Sequence, residues 1–330
     1  MTTTSNMRAA ILENHGEPLR MAQVSTPRVG PKQVLVRVLA SGINPLDTKI
    51  HAGAAPHARH PLPAIPGIDM AGVVERAGTE VTRFQPGDEV YGMTGGVGGV
   101  QGSLAEFAAV DADLLAPKPT NLSMREAAAL PLVFITAWEG LVDRAAISTG
   151  RKVLIHGGAG GIGHVAIQIA RAFGAQAFAT GSDAQRAYIE SLGATFIDRT
   201  DAVEAYVSRH TGGAGFDIIY DTLGGKVLDA SFEAVRRFGH VVSALGWGTH
   251  ALAPLSFRAA TYSGVFTLLP LLTGEGRAHH GDIMAEATRL AEAGKLAPLL
   301  DSRHFELETV TEAYGLIRER AAKGKLVVDI

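Results

Sequence analysis

The sequence predicts an α/β protein in two parts: a compact all-β, barrel-like domain, and a doubly wound parallel sheet with helices on both faces. Three observations predict it. Short strand-like runs punctuated by Gly and Pro fill the first 120 residues. From Lys152 onward, strand-like and helix-like runs alternate, which means βαβ units. Between the first such strand and helix, five glycines crowd into Gly157–Gly163.

The elements follow in order. Gln33–Ala40 (QVLVRVLA) alternates apolar and polar, as a half-buried strand does. Ala71–Ala77, Asp88–Tyr91 and Ser103–Val110 read as further short strands. Ser123 suits the N-cap of a helix over Met124–Leu130, and Pro131–Val142 reads as another helix. Strands are then expected at Lys152–His156, Gln176–Thr180, Ala194–Ile197, Phe216–Tyr220, His240–Ala244 and Ser263–Leu268. Two helices, Asp282–Ala293 and Glu308–Ala321, precede a closing apolar strand, Lys325–Ile330. Seams fall at about residues 125 and 268.

Composition bounds the function. At 330 residues the chain exceeds one typical domain. An apolar fraction of 46% and a charged fraction of 19% suit a soluble globular protein. The net charge of −3, with acids and bases interspersed, argues against a nucleic-acid partner. There is no cysteine, which excludes disulfides and thiolate zinc sites. The start, MTTTSNMRAA, lacks the apolar core of a signal peptide. The longest apolar patch, Val265–Leu272, is broken by Pro270 and too short to span a bilayer. A cytoplasmic protein with no membrane partner is the expectation.

The glycine-rich run has a specific reading. Gly158, Gly160 and Gly163 have the spacing G-x-G-x-x-G between a strand, Lys152–Ile155, and a helix, Gly161–Phe173. That context is what a dinucleotide-binding turn requires. The first glycine permits the tight turn, the second lets a pyrophosphate approach, and the third allows close packing. The amides of Gly158, Ala159, Gly160, Gly161, Ile162 and Gly163 then face the anion at the start of a helix. An ATP-binding loop would need Gly-Lys-Ser/Thr, but His164 follows Gly163. His164 reads as a helix-surface residue.

The cofactor expected is NADP(H). An NAD site usually carries an acid at the end of the second strand. Here that strand ends in Thr180, Gly181 and Ser182, leaving room for a ribose phosphate. Arg186 and Arg199 could neutralise it, although either is also what an exposed surface carries. Asp183 reads as the N-cap of a helix over Ala184–Leu192.

Several motifs in order carry a resemblance over nearly the whole chain. They are SGINPLDTK (Ser41–Lys49), PGIDMAGVVERAG (Pro66–Gly78), GDEVYG (Gly87–Gly92), LPLVFITAWEGL (Leu130–Leu141), HGGAGGIGHVAIQIAR (His156–Arg171), DTLGG (Asp221–Gly225) and the tail AKGKLVVDI. This set resembles the medium-chain dehydrogenase/reductase superfamily, in its zinc-free quinone oxidoreductase (zeta-crystallin-like) branch. The resemblance implies a GroES-like β-barrel-type catalytic domain from residues 1–125 and 269–330, and a Rossmann domain over 126–268. It implies NADPH in a cleft where they meet, and a homodimer. Short-chain dehydrogenases are excluded, because no tyrosine has a lysine four positions on.

Zinc-dependent members place a cysteine where this chain reads Gly42-Ile43-Asn44, and Gly-His-Glu where it reads Gly67-Ile68-Asp69. Their four-cysteine structural loop corresponds to Met93–Gly102, which holds no cysteine. No catalytic metal is expected. His51, His57 and His60 cluster in one stretch, but in a loop without patterned carboxylates. The chemistry left by the resemblance is hydride delivery to a quinone or an α,β-unsaturated carbonyl.

By resemblance, Asn44 sits beside the nicotinamide, Thr136 near the cofactor's ribose–nicotinamide half, and Gly246 against the nicotinamide through its backbone. Arg320 matches a basic residue that closes over the cofactor in some relatives. Asn44 is also what a turn before Pro45 would hold, and Asp47 and Lys49 could form a structural ion pair. Enoyl reductases of the superfamily often carry a tyrosine shortly after this motif; residues 48–65 have none. That favours quinone or reactive-enone reduction, since water can protonate a hydroquinone anion. Lys49 and His51 remain as acids. Enoyl-thioester or alkenal reduction stays as an alternative, and so does an NADPH-binding protein of little turnover that acts through its surface.

Overall fold

The computed structural model describes residues 6–330. The chain divides into two compact units, Met1–Leu132 with Leu268–Ile330, and Val133–Thr267. The first unit opens with β1 (Asn6–Ile11), β2 (Arg20–Ser25), β3 (Gln33–Ile43), β4 (Asp69–Ala77), β5 (Glu89–Met93), β6 (Phe107–Asp111) and β7 (Leu115–Pro117). Helix α1 (Pro45–His51) follows β3, and α2 (Met124–Ala128) and α3 (Pro131–Trp138) follow β7. The second unit holds β8 (Lys152–Ile155), α4 (Gly161–Ala172), β9 (Gln176–Gly181), β10 (Thr195–Asp198), β11 (Phe216–Asp221), β12 (Val235–Ser243) and β13 (Thr261–Gly264). The chain then returns to the first unit with a helix over Arg277–Glu292, β14 (Phe305–Glu306), a helix over Val310–Arg318, and β15 (Leu326–Asp329).

The α/β expectation holds. The second unit is a six-stranded parallel sheet in the order β10-β9-β8-β11-β12-β13. The order reverses at β8, so the carboxyl ends of β8 and β11 flank a switch point, where such sheets bind ligands. Its core gathers Leu154, Phe178, Ile197, Phe216, Ile219, Phe232 and Val241. The first unit is a seven-stranded, largely antiparallel sheet, with β6 pairing to β3 off the main path. The last strand, β15, runs antiparallel to β3, with Leu326 opposite Ile43 and Asp329 opposite Ala40.

Several elements differ from expectation for visible reasons. The run from Ser103 enters β6 only at Phe107, because Ala10 N–H donates to Leu104 C=O and Ala105 bridges Ala9. The last parallel strand is Thr261–Gly264, after which the chain turns toward a helix with Pro270 in its first turn. The helix expected over Pro131–Val142 is α-helical to Trp138 and a π-helix over Glu139–Arg144. Tyr220 explains this: its hydroxyl donates to Thr136 C=O at 2.6 Å, the acceptor residue 140 would use. Its ring also packs so that a Cβ on Gly140 would lie 2.9 Å from it. Ser123 does cap α2, in a capping box with Glu126. The β1–β2 pair was not foreseen; polar Arg8, Arg20 and Gln23 interrupt its apolar period.

Candidate cofactor and active site

The glycine-rich turn joins β8 to α4, and each glycine has its own reason. Gly157 adopts the left-handed φ of +73°, so the tight turn is made there and not at Gly158. Gly158 is the packing glycine: a Cβ would stand 2.6 Å from the Ala179 Cβ on β9. A Cβ on Gly163 would stand 2.1 Å from Gly157 C=O, so the helix start rests on the turn itself. Gly160, the N-cap of α4, meets only Gly157 C=O at 3.2 Å and has an ordinary φ of −78°. Gly160 and Gly161 are exposed at the tip, Ala159 and Ile162 half-buried beside it.

The first intrahelical bond is His164 N–H to Gly160 C=O, so the amides of Gly161, Ile162 and Gly163 precede the helical ladder. A cradle open at Gly160 over amides of this kind fits a pyrophosphate. His164 is a correction to the surface reading. It is 2% exposed, with Nδ1 3.0 Å from Gly160 C=O, and so braces the turn.

At the end of β9 the structure gathers Gly181, Ser182, Arg186 and Arg199. Arg199 N–H donates to Gly181 C=O at 2.9 Å. Ser182, not Asp183, caps the following turn, in a box with Gln185. Asp183 instead pairs with Arg186 at 3.0 Å, and the Arg186 guanidinium lies 4.1 Å from the Phe196 ring centroid. Ion pair and ring fix Arg186 beside the strand end.

Asp221, at the end of β11, opens the DTLGG run, and sequence reasoning assigned it no individual role. Fully buried, it accepts from Leu223 N–H, Gly224 N–H and the Ser243 hydroxyl. His156 is also buried, with Nδ1 3.2 Å from Thr180 Oγ1. Burial pushes its pKa down to about 4, against the pull of Asp221. Nearby, Thr267 donates to Glu139 at 2.8 Å and lies 3.1 Å from the Thr136 hydroxyl.

Gly246 has a reason the sequence did not show. A Cβ there would stand 2.0 Å from the Tyr262 hydroxyl. Gly246→Ala is therefore expected to displace that phenol and destabilise the fold by at most about 1 kcal/mol, because Gly246 and the Tyr262 side chain are exposed. Adding Tyr262→Phe removes the clashing oxygen and should recover most of the loss. Additive losses in thermal melts would contradict this packing.

In the first unit, Asn44 is the centre of a buried network. Its N–H donates to Asp47 Oδ2 and its Nδ2 to Asp69 Oδ2, each at 2.8 Å. Lys325 Nζ donates to Asn44 Oδ1, and to Ile43 C=O at 2.9 Å. Asp69 Oδ1 accepts from Leu132 N–H. Lysine has no acceptor and a carboxylate no donor, so the Asn44 amide can sit only one way round. Burial pushes the pKa of Asp47 up to about 7 and of Asp69 to about 6, and pushes Lys325 down. Sequence reasoning missed Lys325. The signal was a lone lysine opening an apolar strand.

Asn44 is wholly buried, its amide committed to its own unit. Lys49 is exposed while Asp47 points inward, so the suggested Asp47–Lys49 ion pair does not form. His51 is 3% exposed, with Nε2 donating to Glu17 C=O at 2.7 Å and its ring edge-on to Tyr314. Burial lowers its pKa. The structure thus does not bring Lys49 and His51 to Asn44 as acids. Arg320 is exposed just beyond Val310–Arg318. Among the described residues, no group of three or more His, Asp or Glu could hold a metal ion, and no helix is long and apolar enough to cross a membrane.

Comparisons with known proteins agree with this architecture. Residues 30–120 match the alcohol dehydrogenase GroES-like domain family, and residues 192–328 the zinc-binding dehydrogenase family. The chain is 35% identical over 316 residues to the 2-methylene-furan-3-one reductase of Solanum lycopersicum, covering 93% of this chain and 74% of that one. It is 33% identical to the chloroplastic NADPH-dependent alkenal/one oxidoreductase of Arabidopsis thaliana, covering 98% and 79%. A solved alcohol dehydrogenase superfamily protein from Novosphingobium aromaticivorans superposes with a TM-score of 0.97 at 57% identity, covering 98% and 99%. The chain belongs to the medium-chain dehydrogenase/reductase superfamily, on its quinone and enoyl reductase side. It is an oxidoreductase of that superfamily.

Proposed function

We propose that the protein is an NADPH-dependent, zinc-independent reductase of activated double bonds, acting on small α,β-unsaturated carbonyls or on quinones. The observation that carries this is the bare, exposed tip at Gly160–Gly161 ahead of the α4 amides, at the switch point of the sheet. Bound there, the dinucleotide supplies the hydride. Gly158–Gly163 hold its pyrophosphate; Gly181, Ser182, Arg186 and Arg199 take the ribose phosphate; Thr136 and Gly246 lie toward the nicotinamide half. The names of the tomato and Arabidopsis relatives favour the enone over the quinone. Gly42-Ile43-Asn44 and Gly67-Ile68-Asp69 stand where zinc-dependent members carry a cysteine and Gly-His-Glu, which supports a reaction without a metal Lewis acid. The test is steady NADPH oxidation across a panel of enones, alkenals, enoyl thioesters and quinones. Absence of turnover with all four classes would overturn the reading in favour of a cofactor-binding protein.

NADPH is the proposed cofactor, because Arg186 is already held at the end of β9. Arg186→Ala is expected to weaken NADPH by about 1–3 kcal/mol more than NADH. Equal losses in fluorescence titrations would refute the preference. A homodimer is proposed on the resemblance, with β13 as an open sheet edge. A monomer mass by light scattering would exclude it.

A further inference from the structure

Three loops leave the carboxyl ends of β11, β12 and β13 on one edge of the parallel sheet, and each carries an exposed apolar side chain. They are Leu223, Trp247 and Phe266. The strand ends are level, since Asp221 pairs in register with Ser243, and Ser243 with Gly264. Residues 222–225, 244–249 and 265–267 include no charged side chain. Large apolar groups left in water, at the edge where such sheets bind ligands, mark a binding surface.

Ser243 ties the three loops together. Its hydroxyl donates to Asp221 Oδ2 at 2.7 Å and accepts from Leu245 N–H at 3.1 Å, and its C=O accepts from Val265 N–H at 3.0 Å. Asp221 in turn accepts from Leu223 N–H at 3.0 Å. A Cβ on Gly224 would stand 2.4 Å from Leu245 C=O, so the first two loops lie against each other. A Cβ on Gly157 would stand 3.2 Å from Leu223 Cδ2, so the apolar row begins against the glycine-rich turn. It ends in Trp247 and Phe266, whose ring centroids are 6.2 Å apart with the planes at 87°. Two rings at right angles form a corner. A flat guest lying on the face of one presents its edge to the other, and aromatic rings favour both arrangements.

We propose that Trp247 and Phe266 select acceptors that carry a flat unsaturated ring, either an aryl group conjugated to the enone or the ring of a quinone. This rests on the reductase reading, which puts Gly246, the residue before Trp247, toward the nicotinamide. A linear alkenal offers no ring to the corner, and an acceptor bearing a phosphate meets no cation in these loops.

The test compares two enones that differ in one group, benzylideneacetone with a phenyl ring and ethylideneacetone with a methyl, beside naphthoquinone as the quinone arm. Trp247→Ala is expected to lower kcat/KM for at least one ring-bearing acceptor about tenfold more than for ethylideneacetone, and the arm that responds assigns the ring. Trp247→Phe keeps a ring and should recover most of that difference. Phe266→Leu should act in the same direction as Trp247→Ala. Because Trp247 is exposed, its variants should melt as the wild type does. A binding arm separates this inference from the reductase reading. The chain has two tryptophans, Trp138 and Trp247, so the indole N–H resonance missing from Trp247→Phe belongs to Trp247. Titrating benzylideneacetone or naphthoquinone into the whole protein with NADP+ should shift that resonance saturably. Such a shift without turnover of any acceptor would sink the reductase reading and leave the ring site standing. The proposal is overturned if neither ring-bearing acceptor shifts the Trp247 indole. It is equally overturned if Trp247→Ala and Phe266→Leu lower kcat/KM by the same factor for all three acceptors.

Discussion

Gly160→Val is expected to abolish NADPH binding in a protein that still folds. The position is extended, at φ −78° and ψ 173°, which a β-branched residue adopts readily. A Cβ there meets one atom, Gly157 C=O at 3.2 Å, so the neighbour need give only a few tenths of an ångström. Exchanging glycine for valine at an N-cap costs about 1 kcal/mol. The branched side chain, however, projects over the amides that would hold a pyrophosphate. Losing two charge-assisted bonds of about 1.5–3 kcal/mol each weakens binding at least a hundredfold.

Gly158→Ala and Gly163→Ala should behave the other way. Their new Cβ atoms would meet Ala179 at 2.6 Å and Gly157 C=O at 2.1 Å. They are expected to destabilise the fold by about 1–3 kcal/mol before any effect on binding. NADPH titration beside a thermal melt separates the two behaviours. Near-normal affinity in folded Gly160→Val would show that this loop does not carry the dinucleotide.

That contrast marks how far the sequence could be read. Spacing located the turn, because a strand, a bare loop and a helix follow one another in the chain. It misassigned the tight turn to Gly158, because backbone φ leaves no trace in a run of adjacent glycines. The parallel sheet was legible for the same local reason. What was not legible depends on contacts across long separations. Tyr220 sits 84 residues from the helix it loosens. Tyr262 fills the space beside Gly246, and nothing in either segment announces the other. Lys325 lies 281 residues from Asn44, and only the pairing of β15 with β3 brings them together. Asp183 and His164 were misread through local rules, capping and helix periodicity. At both positions a neighbour won: Arg186 for Asp183, and the Gly160 carbonyl for His164.

Lys325→Met is expected to cost the most stability, and to cost it in a pH-dependent way. The ammonium is the one cation hydrogen-bonded within the network of Asn44, Asp47 and Asp69. Removing one partner of such a buried set costs about 3–5 kcal/mol, since the charge left behind has no compensation. The sign with pH follows from the carboxyls. Their pKa values rise from 3.8 in the free side chain to about 7 for Asp47 and about 6 for Asp69. The folded state therefore holds more protons than the unfolded one between these values. The carboxyls' contribution to stability is full below pH 3.8 and is lost as pH rises through about 6 to 7. Lys325 acts in the opposite sense: its lowered pKa removes stability as pH falls below 10.5. Without the ammonium, both carboxyl pKa values climb further, because its attraction opposed burial. The variant should lose least at about pH 5, where the carboxyls are neutral, and most at about pH 8. Adding Asp69→Asn should return part of the loss at the higher pH, since one buried charge is gone. Thermal melts of the two variants at both pH values decide the matter. A loss of equal size at each pH would mean that Asp47 and Asp69 do not titrate against Lys325, and that the lysine holds Asn44 by packing alone.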